Sequence, residues 1–107
     1  MARMSEELTS LVAERFKALA DRARVRLLNA LRDGERSVGE LVEDTGLTQA
    51  NASKHLARLH QLGFVTRHRD GLHTYYGLAD RDILKLCDIM CGRIEAETRT
   101  RRRLFPQ

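Results

Sequence analysis

The chain has 107 residues and a mass of 12.2 kDa, with 42% apolar and 32% charged residues, the proportions of one folded domain. Nineteen Lys+Arg against 15 Asp+Glu give a net charge of +4 and an isoelectric point near 9.6, which suits a polyanionic partner. No stretch approaches the roughly 18 apolar residues of a membrane span, no signal peptide is visible, and two cysteines are too few for a disulfide scaffold. A membrane protein, a secreted mini-protein and a two-domain enzyme are therefore disfavoured, and a cytoplasmic protein with reduced thiols is expected. So short a chain buries only about two thirds of its unfolded surface. A long helix with surplus apolar surface would then seek a second copy, so a homodimer is expected.

From Ser5 to Ala20, Leu8, Leu11, Val12, Phe16 and Leu19 recur at spacings of three and four, one face of a helix. Asp21 can cap a second helix carrying Ala23, Val25, Leu27, Leu28 and Leu31, which stops at Asp33-Gly34. Ser37-Val-Gly-Glu40 has the spacing of a capping box and predicts a short third helix with Leu41 and Val42 inward, ending near Thr45-Gly46. Thr48 can cap a fourth helix running to about Leu62, its apolar residues being Ala52, Leu56, Leu59 and Leu62.

The pattern then changes to β-branched and aromatic residues over 64–69 and 72–78, parted by Asp70-Gly71, a dipeptide of tight type I′ hairpins. Asp80 or Asp82 opens a last helix to about Thr100, with a stripe of Ile83, Leu86, Met90 and Ile94 widened by Leu84, Cys87, Ile89 and Cys91. That helix is too apolar to lie alone on a surface. The arginine-rich end, 101–107, reads as a flexible tail. The predicted fold is mainly α with a β-hairpin, in the order α-α-α-α-β-β-α, a single domain spanning 1–107. Helices 5–20 and 80–100 would serve dimerisation, 37–62 a helix-turn-helix and 64–78 a wing.

Two short helices joined by Thr45-Gly-Leu-Thr48 and followed at once by a hairpin make a winged helix-turn-helix. Over the first two turns of the second helix cluster Thr48, Gln49, Asn51, Ser53, Lys54 and His55. Amides at a helix start attract phosphate, Gln and Asn can pair bidentately with adenine, and Lys with guanine or phosphate. The wing adds Arg67, His68, Arg69 and His73. From Thr48 to Leu78 the bases Lys54, Arg58, Arg67 and Arg69 outnumber one acid, Asp70, by three, whereas Asp33 to Leu47 holds five acids against Arg36. Positive charge thus gathers where a duplex would lie. The expected partner is double-stranded DNA, with Thr48, Gln49, Asn51, Ser53, Lys54, His55, Arg67 and Arg69 as its contacts. A winged helix serving protein or RNA without operator recognition is the alternative, although Gln49, Asn51 and Ser53 make a poor hydrophobic face. An enzyme has no support, because no glycine-rich phosphate loop, nucleophile motif or catalytic ligand set is present.

The runs Phe16-Lys-Ala-Leu-Ala-Asp-Arg-Ala-Arg-Val-Arg-Leu-Leu28, Ser37-Val-Gly-Glu-Leu41, Leu47-Thr-Gln-Ala-Asn-Ala-Ser-Lys-His-Leu56, Leu62-Gly-Phe-Val65 and Gly71-Leu-His-Thr-Tyr-Tyr-Gly-Leu78 resemble the ArsR/SmtB family of bacterial winged-helix repressors. The resemblance spans about residues 10–95. It implies a homodimer built on the first and last helices, binding an imperfect inverted repeat and repressing a nearby operon until a metal ion or other inducer binds.

It also locates two family metal sites that this chain does not preserve. Where many members have Cys-x-Cys at the third helix, this chain has Ser37 and Gly39. The last-helix site would fall on Asp80, Asp82, Arg93 and Ala96, and Arg93 puts a cation where zinc wants imidazole, thiolate or carboxylate. No cofactor is required by the sequence. What remains is Cys87 and Cys91, a spacing of four that sets both thiols on one side of a helix. Paired thiolates suit a soft metal or metalloid ion, such as arsenite, Cu(I) or Cd(II), and also oxidation or persulfidation. Cysteine equally serves as a small hydrophobe, so sensing and core packing both stand, the latter leaving a DNA-binding regulator that needs no inducer. Across an Asp70-Gly71 turn His68 and His73 would face each other; two ligands without a third make no metal site, and phosphate contact or solvated surface is expected.

Overall fold

In the computed structural model, which describes residues 3–105, helices begin where hydroxyl and carboxylate side chains take up free amides. Ser5 accepts from the Leu8 N–H and opens α1 (Glu6–Leu19), and Asp21 accepts from the Arg24 N–H at 3.1 Å and opens α2 (Arg22–Ala30). The capping box closes as expected ahead of α3 (Val38–Thr45). The Glu40 N–H donates to the Ser37 hydroxyl at 3.2 Å, and the Ser37 N–H donates to the Glu40 carboxylate at 2.9 Å. Thr48 caps α4 (Gln49–Gln61), its hydroxyl accepting from the Asn51 N–H at 3.1 Å. Between α3 and α4, Gly46 adopts a φ of +75°, a left-handed turn that a side chain would strain.

Leu27, Leu28 and Leu31 from α2 and its end, Leu41 from α3, and Leu56 and Leu59 from α4 form the centre of one core, each at most 1% exposed. A fully buried leucine contributes about 1.5–3 kcal/mol, so this three-helix contact outweighs any local propensity. Val65 and Tyr76 close the core on the sheet side, and Ile83 and Leu84 on the other.

The sheet differs from expectation in two ways. It has a third strand, β1 (Arg36–Ser37), beside β2 (Val65–Asp70) and β3 (His73–Leu78), all antiparallel in the order β1-β3-β2. Arg36 pairs with Tyr76 and Ser37 with Tyr75, so the element order is α-α-β-α-α-β-β-α. Two residues carry no alternation pattern, and only the partner strand makes them β. The hairpin turn also moves along by one residue, which shifts the cross-strand pairing by two. Asp70 pairs with His73 across a two-residue loop of Gly71 and Leu72, and only Gly71 has positive φ, at +63°. That is the signature of a type II′ turn, with glycine first, in place of the type I′ turn centred on Asp70-Gly71. His68 therefore faces Tyr75, and His73 faces Asp70; the two histidines are not partners.

The last helix, α5 (Asp82–Leu104), runs 23 residues. Arg101, Arg102 and Arg103 are its final turn rather than a frayed tail, their positive charge lying at the negative end of the helix dipole. Positions 106 and 107 of the expected tail lie outside the described residues. Leu86, Met90 and Ile94 of α5 are 49%, 61% and 53% exposed, and Leu8, Leu11 and Phe16 of α1 are 46%, 43% and 57% exposed. Apart from buried Ile83, most of the two stripes expected to serve dimerisation thus has no cover within one chain. Among the described residues no helix is long and apolar enough to cross a membrane.

Candidate nucleic-acid interface

Burying Ala52, Leu56 and Leu59 turns the opposite side of α4 outward, and Thr48, Gln49, Asn51, Ser53 and Lys54 all lie exposed there. Thr48 spends one lone pair on its cap and keeps a hydroxyl proton to donate. Gln49, Asn51, Ser53 and Lys54 make no side-chain hydrogen bonds with other described residues, so their polar ends are available to a ligand.

The wing supplies the other wall. Alternation along β2 places Arg67 and Arg69 on the face of Val65, opposite Tyr76 and Thr74 of β3. A cleft of about 460 Å³ opens beside this face, lined by Val38 of α3, Ser53 of α4 and, from the wing, Arg67, His68, Arg69, Thr74 and Tyr76. Ser53 of the capped helix and two wing arginines thus border one cleft, with the other exposed polar residues of α4 along the same helix. Such an arrangement can hold phosphate by charge while amide side chains reach base edges. Arg69 also leans back on its own turn, Nε donating to the Gly71 carbonyl at 3.5 Å.

His68 and His73 lie on the reverse face of the wing. His68 stacks on Tyr75, ring centroids 5.6 Å apart and planes 17° apart, and its Nδ1 lies 3.1 Å from a Glu35 carboxylate oxygen. His73 meets the same Tyr75 ring edge-on. Arg58, counted above with the groove's positive charge, turns instead to α1, where Glu14 accepts its Nη2–H at 3.2 Å. His55 is half-buried, and its Nδ1 accepts a hydrogen bond from Arg24. Sequence reasoning missed Arg24 and Glu35, because pairings across 31 and 33 positions leave no local pattern.

A profile of bacterial regulatory proteins of the arsR family matches residues 21–67, from the cap of α2 through α3 and α4 into the wing. The HTH-type transcriptional regulator Rv0081 of Mycobacterium tuberculosis is 46% identical over 83 residues, covering 77% of this chain and 73% of the relative. The chain belongs to the ArsR family. As an ArsR-family protein it is a DNA-binding transcriptional regulator with a winged helix-turn-helix. The crystal structure of Rv0081 superposes with a TM-score of 0.77 at 40% identity, over 92% of this ArsR-family chain and 98% of the other. The homodimeric winged helix-turn-helix DNA-binding domain of Mb0332 from Mycobacterium bovis superposes with a TM-score of 0.74 at 33% identity, over 89% and 91%. A probable mercury resistance operon repressor of Streptomyces lividans is 39% identical over 71 residues, 66% of this chain and 57% of its own.

The family metal positions do not fit an ion in this ArsR-family chain. Asp82 is engaged with Lys85 at 3.0 Å, Asp80 accepts the Asp82 N–H, and Arg93 is exposed on the same helix. Among the described residues no three His, Cys, Asp or Glu side chains gather as a ligand set. Cys87 is half-buried and Cys91 exposed, so neither belongs to the core of one chain. Both lie near Arg32, whose guanidinium is held above its ordinary value first by its hydrogen bond to Asp88 and the Asp88 charge, and to a lesser degree by the two thiols.

Proposed function

We propose that the chain is a homodimeric repressor that binds an imperfect inverted repeat upstream of its own operon in the cytoplasm. In this reading Thr48, Gln49, Asn51, Ser53 and Lys54 enter the major groove, His55 contacts the DNA beside them, and Arg67 and Arg69 clamp the flanking phosphates. The observation that carries it is the exposed polar face of α4, whose Ser53 shares one cleft with the two wing arginines. The dimer is supported by the uncovered apolar faces of α1 and α5 and by the homodimeric state of the Mb0332 domain. Repression is supported by the name of the Streptomyces lividans relative.

Release by an inducer is assigned to Cys87 and Cys91, through a soft ion or thiol oxidation. One chain offers two sulfurs, so a soft ion would need donors from both protomers or accept two-coordination. The test is fluorescence anisotropy of the reduced protein on its own upstream DNA and on random DNA, repeated with arsenite, Cd(II), Zn(II), peroxide and polysulfide. A steep fall of affinity with salt and a preference for the upstream DNA are expected. Loss of binding with one agent, abolished by Cys87→Ser or Cys91→Ser, is expected of the sensor. Binding that no agent touches removes the sensing role and leaves a regulator with structural cysteines. Equal affinity for both DNAs removes the operator.

A further inference from the structure

The half-buried imidazole of His55 lies in the second turn of α4, next to Lys54 and one turn after Asn51. Arg24 of α2 donates its Nε–H to His55 Nδ1 at 3.2 Å. The guanidinium is itself anchored, because its Nη1–H donates to the Ala18 carbonyl at the end of α1 at 3.0 Å. The Arg24 backbone N–H is fixed in turn by the Asp21 cap. A guanidinium has no acceptor, so Nδ1 must offer a lone pair and the ring proton resides on Nε2. Arg24 thus dictates which ring nitrogen is left as a donor.

We infer that Arg24 is a positioning residue for DNA binding: by occupying Nδ1 it fixes His55 as the Nε2–H tautomer and presents that N–H as a donor to a DNA phosphate beside α4. This rests on the reading of α4 as the DNA-binding helix. Arg24 makes no contact with DNA in this scheme; it acts through His55. The contact is directional, because a single ring N–H is left to donate. The charged groups around the ring are Arg24 and Asp21 from α2 and, along α4 itself, Lys54 and Arg58, the last drawn off toward Glu14.

Long-range ¹H–¹⁵N correlation spectra of the imidazoles and anisotropy titrations on upstream DNA test this together, with thermal melting as the folding control. Wild-type His55 is expected as a single Nε2–H tautomer. Arg24→Met is expected to give mixed tautomers and to weaken DNA binding about ten-fold, the loss of one hydrogen bond to a charged group. His55→Gln, whose amide nitrogen reaches the Nε2 position, should bind within about three-fold of wild type, whereas His55→Asn, which is too short, should lose as much as Arg24→Met. Adding Arg24→Met to His55→Gln should cost little more, since no tautomer is left to choose. Arg24→Met with an unchanged tautomer, or equal affinities of the Gln and Asn variants, overturns the inference while DNA binding by the wild type stands. Wild-type protein without affinity for DNA overturns the underlying reading, and the phosphate contact with it.

Discussion

Arg32, just past the end of α2, grips Asp88 of α5 through two hydrogen bonds of 3.0 and 3.4 Å across 56 positions of sequence. Arg81 adds a third link by donating to the Arg32 carbonyl at 3.1 Å. With buried Ile83 and Leu84, these contacts hold α5 to the helix-turn-helix body and pass beside both cysteines. The pair is open to water, so its direct effect on stability is small. Its effect is on where α5 points. Asp88→Ala is expected to leave the melting temperature nearly unchanged and to speed amide hydrogen exchange over the first turns of α5. Unaltered exchange there would show that Ile83 and Leu84 alone set the helix.

Acid should loosen the helix starts. The Asp21 carboxyl is held below its ordinary value of 3.8 chiefly by the Arg24 N–H, and the Glu40 carboxyl below 4.5 by the Ser37 N–H and hydroxyl. Both are depressed in the folded chain, so their stabilisation is present above those ordinary values and is lost as pH falls through the lower, folded ones. Asn caps helices as well as Asp, and Gln can complete a capping box, but neither titrates. The double variant Asp21→Asn, Glu40→Gln should melt near the wild type at pH 7 and show a shallower decline below about pH 4.5. Parallel declines would place the acid sensitivity elsewhere.

The proposed base reading and phosphate clamping should separate by substitution. Asn51→Ala or Gln49→Ala is expected to cost about 1–3 kcal/mol on upstream DNA and little on random DNA. Arg67→Ala or Arg69→Ala should weaken both alike and reduce the slope of log affinity against log salt by about one. If all four act alike on both DNAs, α4 does not read sequence.

A single charge should divide the proposed dimer. Met90 is 61% exposed in one chain, so Met90→Glu leaves the fold intact, yet a carboxylate between paired helices would lose its water. Sedimentation at micromolar concentration is expected to show a folded monomer, with operator affinity reduced to that of one half-site. A variant that still sediments as a dimer would move the interface away from this part of α5.

Much of this architecture could be read from local chemistry. Ser37, Thr48 and Asp21 announce helices because capping works within three residues, and Leu56 and Leu59 declare the buried side of α4 by spacing alone. The groove residues followed from what that spacing leaves outside. What stayed hidden depends on distant partners. Arg36 and Ser37 are a strand only because β3 lies beside them, and the one-residue displacement of the hairpin turn depended on whether Asp70 or Leu72 completes the loop with Gly71. The hydrogen-bond partner of His55 is Arg24, which no spacing rule connects to it. Phe16, Met90 and Ile94 were legible as apolar stripes, but only their exposure distinguishes a surface awaiting cover from a filled core.

The strand order β1-β3-β2 leaves β2 with one flank unpaired. Such a flank is a template on which another chain can add a strand. Here the strand carries Arg67, His68, Arg69 and Asp70, and like charges on two approaching copies keep the wings apart in concentrated solution. The arginines therefore guard solubility whatever else they touch. Replacing both with valine would create a bare, β-prone ribbon, and precipitation on standing, reported by light scattering, should set in before any DNA titration could be completed.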